Sequence, residues 1–248
     1  MNLPQVILNR KMKLSIIIPL YNEENNILTM LEELTNTDME GLLESVEYVV
    51  VDDCSRDSSF EIVSKYIERK TNFKLIKHEV NQGKGAAVKT GISHASGDVF
   101  FIQDADLELS PSDIPAMVRA MKELNVEFIN GSRYLPGIAR PLASYKRYWG
   151  NKLFTNLTSI LINVHLTDMA CGYKLIHRKL YEKIELKENR FGFEAELIIK
   201  ALRIKKNNVA EVPVKYFPRN AGEGKKLNNF DAFKILRTIF KYGVLRLK

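Results

Sequence analysis

Four short apolar runs limit what this chain can become. They are LSIIIP (14–19), EYVVVDD (47–53), FKLIKH (73–78) and DVFFIQD (98–104). Each is rich in β-branched or aromatic residues and continuously apolar, as strands covered on both faces are. Helix-spaced stretches separate them. Ile27, Leu28, Leu31 and Leu34 share one face, and so do Ile62, Val63, Tyr66 and Ile67; residues 85–95 are small and helix-compatible. Strand alternating with helix predicts an α/β fold, with a mostly parallel central sheet and helices on both faces. At 248 residues the chain is long enough to bury a substantial core without disulfides or metals as staples.

The second half is less regular. VEFINGSRY (126–134) reads as a strand leading into a basic loop. Residues 141–163 read as an amphipathic helix, with Tyr145, Tyr148, Trp149, Leu153, Phe154, Leu157 and Ile160 toward its apolar side. The stretch 207–219 reads as a strand near an edge, because Pro213 has no N–H for a ladder. A last amphipathic helix starts at Asn229, with Phe233, Leu236, Phe240, Val244 and Leu247 in one stripe and Lys234, Arg237 and Lys241 beside it. That stripe has two open uses, the bilayer surface and the protein's own core. Tyr148, Trp149 and Phe154 share the ambiguity and lean toward the core.

Polar residues gather where the four early runs stop: Tyr21 and Glu23, then Asp52 and Asp53, then Asn81 to Gly85 with Lys84, then Asp104 and Asp106. Ligands collect at the carboxyl ends of strands in open parallel sheets. Four such clusters at one edge mark a site. The fourth, QDADLE, sets Asp104, Asp106 and Glu108 at every second position, so an extended chain points all three the same way. Unpaired like charges repel and are costly to bury. Oxygen ligands alone suit a hard divalent cation, Mg²⁺ or Mn²⁺, which commonly shares its shell with a substrate phosphate. Alone, a D-x-D is more often a solvated acidic loop; its place at the end of an apolar strand reverses the balance toward the metal. Asp52 is able to accept from a base N–H or ribose hydroxyl, while Ser55 or Asp57 suits a helix cap. The Asn81–Gly85 loop permits close approach to a phosphate but lacks the Walker A spacing.

Charge is uneven. Residues 200–248 hold 13 Lys/Arg against 3 Asp/Glu, whereas the rest holds 24 against 27. A basic tail suits an anionic partner such as phosphate groups, a lipid surface or nucleic acid, or is simply a solvated face. Two cysteines, Cys54 and Cys171, are too few for a disulfide framework or a zinc site and fit a reducing compartment. The opening MNLPQVILNRKMK has too short an apolar stretch for a signal peptide, and no segment reaches the roughly 18 apolar residues of a membrane span.

The stretches SIIIPLYNEENNI, VVVDDCSRDSS, NQGKGAAVKTGISHASGD and QDADLELSP together resemble family 2 glycosyltransferases of the GT-A (Rossmann-like) fold. GSRY, TDMACGYKL, RFGFEAELI and VPVKYFPRNAGEGKK are similar to the polyprenyl-phosphate sugar synthases, which include the dolichyl-phosphate mannose and glucose synthases. The resemblance implies one domain: a nucleotide-binding half (1–106), an acceptor half (107–228) and a C-terminal amphipathic helix (229–248). It implies that Pro19, Tyr21, Glu23 and Asp52 line a nucleoside pocket with Lys84 near it. Asp104 and Asp106 then hold Mg²⁺ or Mn²⁺ on the donor diphosphate, with Glu108 at the place of a third ligand. Arg133 and Arg219 meet diphosphate or acceptor phosphate, and Lys225 and Lys226 lie in a mobile loop near the same phosphates. Asp168 and Glu194 face the sugar and acceptor.

The implied reaction moves a hexose, with inversion, from UDP-glucose or GDP-mannose to a polyprenyl or dolichyl phosphate. The implied location is the cytoplasm, peripheral on the cytoplasmic face of a membrane, held by surface contact or a membrane-protein partner. Asp168 orients the sugar or acceptor in that reaction; it is the leading base if the acceptor is a sugar hydroxyl, and a turn or cap residue if it has no chemical role. A soluble glycan-extending transferase is the near alternative. A nucleic-acid-binding module is the distant one; it leaves the strand-end acids unexplained, so no nucleic acid is expected.

Overall fold

The computed structural model describes residues 11–39, 41–139, 141, 144–190, 192–205, 208–219 and 229–245. Seven strands form one sheet in the order β3-β2-β1-β4-β6-β5-β7. The four early runs are β1 (Met12–Leu20), β2 (Leu43–Asp52), β3 (Phe73–Lys77) and β4 (Val99–Ile102), all parallel. The expected helices are α1 (Ile27–Asn36), α2 (Ser59–Ile67) and α3 (Lys84–His94). The later strands are β5 (Phe128–Ser132), β6 (Lys174–His177) and β7 (Val209–Pro213); β7 is the edge strand that Pro213 requires. Among helices, α4 (Ile114–Glu123), α5 (Tyr145–Ile162), α6 (Arg178–Tyr181), α7 (Phe193–Lys205) and α8 (Asn229–Gly243) complete the set.

The strands sort their side chains by alternation. Leu14, Ile16, Ile18 and Leu20 of β1 join a core layer with Ile27, Leu31 and Leu34 of α1, Val63 of α2 and Met117 and Met121 of α4. Ile17 faces the opposite layer, with Ala87, Val88 and Ile92 of α3, Leu197 and Ile198 of α7 and Ile239 of α8. Helices therefore cover both faces, as the continuous apolar runs demand.

One strand departs from the parallel set and places the site. β6 runs antiparallel between β4 and β5. Its first residue, Lys174, sits opposite Ile102, the last of β4, so the chain entering β6 comes to the edge where β1, β2 and β4 end. β5 reaches that edge too, and Arg133 follows it directly.

Two long helices, α5 and α8, carry apolar side chains on two faces. The inward face of α8 is Ile235, Thr238, Ile239 and Tyr242. The stripe singled out in the sequence faces outward: Phe233, Leu236, Phe240 and Val244 are 40–64% exposed, which excludes the core use for them. Leu247 lies outside the described residues. On α5, Phe154 and Leu157 pack on the core and Tyr148 is half-buried, but Tyr145, Trp149, Leu153 and Ile160 are exposed, so Trp149 is not a core residue. No helix among the described residues is long and apolar enough to cross a membrane.

Candidate active site

The loops after β1 and β2 are stitched to each other. Asn22, in the left-handed region at φ 55°, donates its N–H to Ser55 Oγ at 3.0 Å and accepts from the Arg56 N–H at 2.8 Å. The Glu23 N–H donates to Ser59 Oγ at 2.8 Å. Asp57 accepts from the Ser59 N–H at 3.1 Å, one residue ahead of Ser58, which holds the cap position of α2 in place of the expected Ser55 or Asp57. This lattice fixes Pro19, Tyr21 and Glu23 along one wall of a cavity of about 360 Å³, within the range of small-ligand pockets.

The two aspartates at the end of β2 divide their work differently from expectation. Asp53, not Asp52, reaches the cavity wall. Its carboxylate accepts from the Gln82 N–H at 2.9 Å and the Gly83 N–H at 2.7 Å, and contacts His78 Nδ1 at 2.8 Å. It thereby clamps the loop that opens α3. Asp52, expected in the nucleoside pocket, is fully buried and receives the Ser55 N–H at 3.3 Å, shaping the turn after β2. The cause is the strand's pleat: Asp52 is the last paired residue of β2 and follows Tyr48 and Val50 into the core layer under α1.

Gly83, at φ 100°, precedes α3, and a Cβ there would strike Asn189 and Arg190. The close approach brings Arg190 onto the cavity wall, where its guanidinium donates to the Asn81 carbonyl at 3.3 Å. Lys84, the first residue of α3, places its ammonium 2.6 Å from Asp104 and 2.6 Å from Glu194. Burial alone would lower the pKa of this lysine; the two carboxylates outweigh it and raise it above the ordinary range.

The acidic pair does not continue as an extended strand. β4 ends at Ile102, and residues 105–108 bend, with the Glu108 N–H donating to Asp106 Oδ1 at 3.1 Å. The strict alternation that would align Asp104, Asp106 and Glu108 is thus broken. All three line the cavity, but among the described residues no group of three acidic, imidazole or thiol side chains is placed to hold a metal. The expected set of Asp104, Asp106 and Glu108 is therefore not assembled as three ligands around one point among the described residues. Burial raises the Glu108 carboxyl above its usual range, although N–H donation from Arg219 and the charge of Arg133 oppose the rise. Asp106 instead meets Arg219 at 3.0 Å, and the same guanidinium reaches Glu23 at 2.8 Å.

Arg133 also lines the cavity, held from behind. Its Nε and Nη2 donate to the two oxygens of Asp168 at 2.7 and 2.9 Å. Asp168 is fully buried and also accepts from Asn151 at 2.8 Å. Burial would raise its carboxyl, but the Arg133 guanidinium overcomes this and holds it below the usual carboxylate range. Asp168 lies behind Arg133 and does not itself line the cavity. Both of its oxygens are committed to Arg133 and hold that guanidinium in place. Glu194 does face the cavity, while Lys225 and Lys226 lie outside the described residues.

Three contributors carried no signal strong enough to assign beforehand. Tyr216 lines the cavity, with Arg133 5.2 Å over its ring. Lys174 is fully buried beneath the site and donates to Asn130 Oδ1 at 2.7 Å and the Cys171 carbonyl at 2.5 Å. Gly172 is packed so closely on Asp104 that a Cβ would overlap its carboxylate oxygen. Gly172→Ala is therefore expected to displace Asp104 from Lys84 and to cost about 1–3 kcal/mol of stability. Urea unfolding measures it, and an unchanged midpoint would mean that Asp104 has room to spare.

Six carboxylates reach this cavity, those of Glu23, Asp53, Asp104, Asp106, Glu108 and Glu194, against the lining cations Lys84, Arg133 and Arg190. The donor set is oxygen throughout and rich in charge. Asp104 and Asp106 fit a Mg²⁺ or Mn²⁺ ion that takes its remaining ligands from a substrate rather than from the protein.

Sheet order and the crossing strand β6 have the architecture of the GT-A fold class. The crystal structure of Mycobacterium tuberculosis glucosyl-3-phosphoglycerate synthase with Mn²⁺, UDP and phosphoglyceric acid superposes with a TM-score of 0.73 at 17% identity, covering 94% of this chain and 79% of that one. The family model for glycosyl transferase family 2 matches residues 15–185, and the chain belongs to that family. Dolichol-phosphate mannosyltransferase of Pyrococcus furiosus is 32% identical over 236 residues, 93% of this chain and 63% of that protein. Dolichyl-phosphate beta-glucosyltransferase of Dictyostelium discoideum is 29% identical over 257 residues, 95% of this chain and 77% of that protein. The chain thus spans somewhat under two thirds of the archaeal relative.

Proposed function

We propose that the protein transfers a hexose, with inversion, from a nucleotide-diphosphate sugar, UDP-glucose or GDP-mannose, to a polyprenyl or dolichyl phosphate. The observation that carries this reading is the convergence of strand-end acids and cations on one cavity. Similarity to dolichyl-phosphate glycosyltransferases that differ in sugar supports the acceptor class and leaves both donors in play.

Pro19, Tyr21 and Glu23 face the nucleoside. Asp104 and Asp106 hold a divalent cation whose chemistry, once bound, is to neutralise charge on the donor's diphosphate. Arg133 faces that diphosphate, oriented by Asp168, and stabilises the negative charge that grows on it as the glycosidic bond breaks. Lys84 and Arg219, beside the acids, add to the same field. Glu194 orients the sugar or acceptor across the cavity.

A lipid monophosphate is already ionised near neutral pH, its second pKa being about 6. It needs placement, not a base, which agrees with an Asp168 committed to Arg133. A hydroxyl acceptor would require a base, and the raised carboxyl of Glu108 is the cavity group suited to it. We place the outward apolar residues of α5 and α8, flanked by Lys234 and Arg237, against an anionic bilayer that presents the acceptor. That puts the enzyme on a membrane surface, peripherally and on the cytoplasmic face, with a membrane-protein partner as an additional tether.

One assay tests both parts. UDP-glucose and GDP-mannose are offered with Mn²⁺ to polyprenyl phosphate in anionic vesicles and to a short-chain, water-soluble analogue. The expected product is the polyprenyl-phosphate sugar from one donor. Phe233→Glu with Phe240→Glu is expected to lower turnover on vesicles about tenfold or more and to spare the soluble acceptor. Glycosylation of free sugars alone sinks the lipid reading; equal loss on both acceptors sinks the membrane face.

A further inference from the structure

Each aspartate of the D-x-D pair already has a cation on it. Lys84 lies 2.6 Å from Asp104, and Arg219 lies 3.0 Å from Asp106. Neither pair is open surface, since all four side chains are 17–33% exposed. The two cations are also anchored on the far side, Lys84 to Glu194 at 2.6 Å and Arg219 to Glu23 at 2.8 Å. The result is two acid–cation–acid bridges between residues of the cavity wall, one tying the end of β4 to α7 and the other tying it to the loop after β1.

A divalent ion arriving alone would meet both carboxylates already paired with a cation. To bind them it has to displace an ammonium and a guanidinium from short, partly desolvated contacts, or tolerate their repulsion at close range. A diphosphate arriving with the ion changes the balance. Its oxygens accept from the displaced cations, so each cation exchanges one anion for another while the carboxylates turn to the metal. We propose that Lys84 and Arg219 are exchangeable counter-ions of Asp104 and Asp106, and that this exchange makes uptake of a divalent cation depend on nucleoside diphosphate. The inference rests on the metal reading of the D-x-D pair given above. Linkage makes the dependence reciprocal: the ion tightens the nucleotide by the factor with which the nucleotide tightens the ion.

The test measures binding, not turnover. Free Mn²⁺ is followed by electron paramagnetic resonance as protein is added, first alone and then with UDP or GDP. The parent is expected to bind Mn²⁺ weakly alone and far more tightly with one nucleotide. Lys84→Met and Arg219→Met are each expected to bind Mn²⁺ alone roughly tenfold tighter than the parent, and to lose a matching part of the gain from nucleotide. Lys84→Gln replaces Lys84→Met if the latter melts below the assay temperature. Arg190→Met is the control for overall charge, because Arg190 lines the cavity yet bonds to a carbonyl; it is expected to change Mn²⁺ affinity less than twofold.

Equal tightening in all three variants reduces the effect to general field and overturns the exchange. Mn²⁺ uptake that requires Asp106 but ignores Lys84 and Arg219 also overturns it, and leaves the metal reading standing. No uptake by any form, with or without nucleotide, removes the metal reading and the exchange together.

Discussion

Asp106→Asn is expected to lower turnover about 10²–10³-fold while the protein melts within a few degrees of the parent. The change keeps the shape of the side chain, and the amide oxygen still accepts from the Glu108 N–H as the carboxylate does at 3.1 Å. Arg219 retains Glu23 at 2.8 Å. What is lost is one negative charge at the position proposed to hold a divalent cation on the departing diphosphate. Stabilisation of charge that develops only in the transition state is typically worth a few kcal/mol per group. The loss therefore falls on kcat and on the metal concentration needed for half-maximal rate, not on folding. Initial rates across a Mn²⁺ titration, with a parallel thermal melt, check both halves. Turnover within fivefold of the parent, at the same metal requirement, would show that the acidic pair is not a metal seat.

The first half of the chain was legible because its sheet is buried on both sides. Burial forces continuous apolar runs, so β1 to β4 stand out, and their parallel order brings their polar ends to one edge. The second half was harder to read because β6 is a four-residue strand with a buried lysine at its start. Lys174 looks like a loop residue until Asn130 and the Cys171 carbonyl are seen to satisfy it. α7 was similarly hidden: eight of its 13 residues are buried, Glu196 among them, because it is packed on several sides, which blurs the helical periodicity. Amphipathicity misled in the opposite sense on α8. The strongest stripe was read correctly as a stripe, yet the face that meets the core is the neighbouring one with Ile235 and Ile239.

Within the site, residue type was visible and direction was not. Asp52 and Asp53 are equivalent on paper, and only the pleat sends one into the core and the other to the cavity wall. Asp104, Asp106 and Glu108 suggested a three-pronged claw, but the bend at 105–108 spends the alternation within two residues. Arg190 reaches the cavity only because Gly83 lets a segment more than a hundred residues away in sequence pack against it. No local pattern encodes that contact.

Asp168→Ala is expected to be the most destabilising single change in the site. It would leave the Arg133 guanidinium, 18% exposed, without the bidentate partner that now holds it at 2.7 and 2.9 Å. Breaking such a pair from one side costs about 3–5 kcal/mol. For a chain of this size each kcal/mol moves the melting temperature by about 2–4 °C, so a fall of roughly 6–20 °C is expected. The pH dependence has a definite sign. The folded Asp168 carboxyl lies below its unfolded value, so its contribution is complete above about pH 4 and is lost as pH falls through the folded pKa. The parent's stability should drop on that acid limb, and Asp168→Asn should lack this part of the drop. The double change Arg133→Met with Asp168→Leu separates scaffold from chemistry. An apolar pair of similar volume restores most of the melting temperature, but it leaves nothing to face the diphosphate, so turnover stays low. If Asp168→Ala melted within 2 °C of the parent, the buried pair would be a bystander. If the double variant regained turnover, Arg133 would have no part in the reaction.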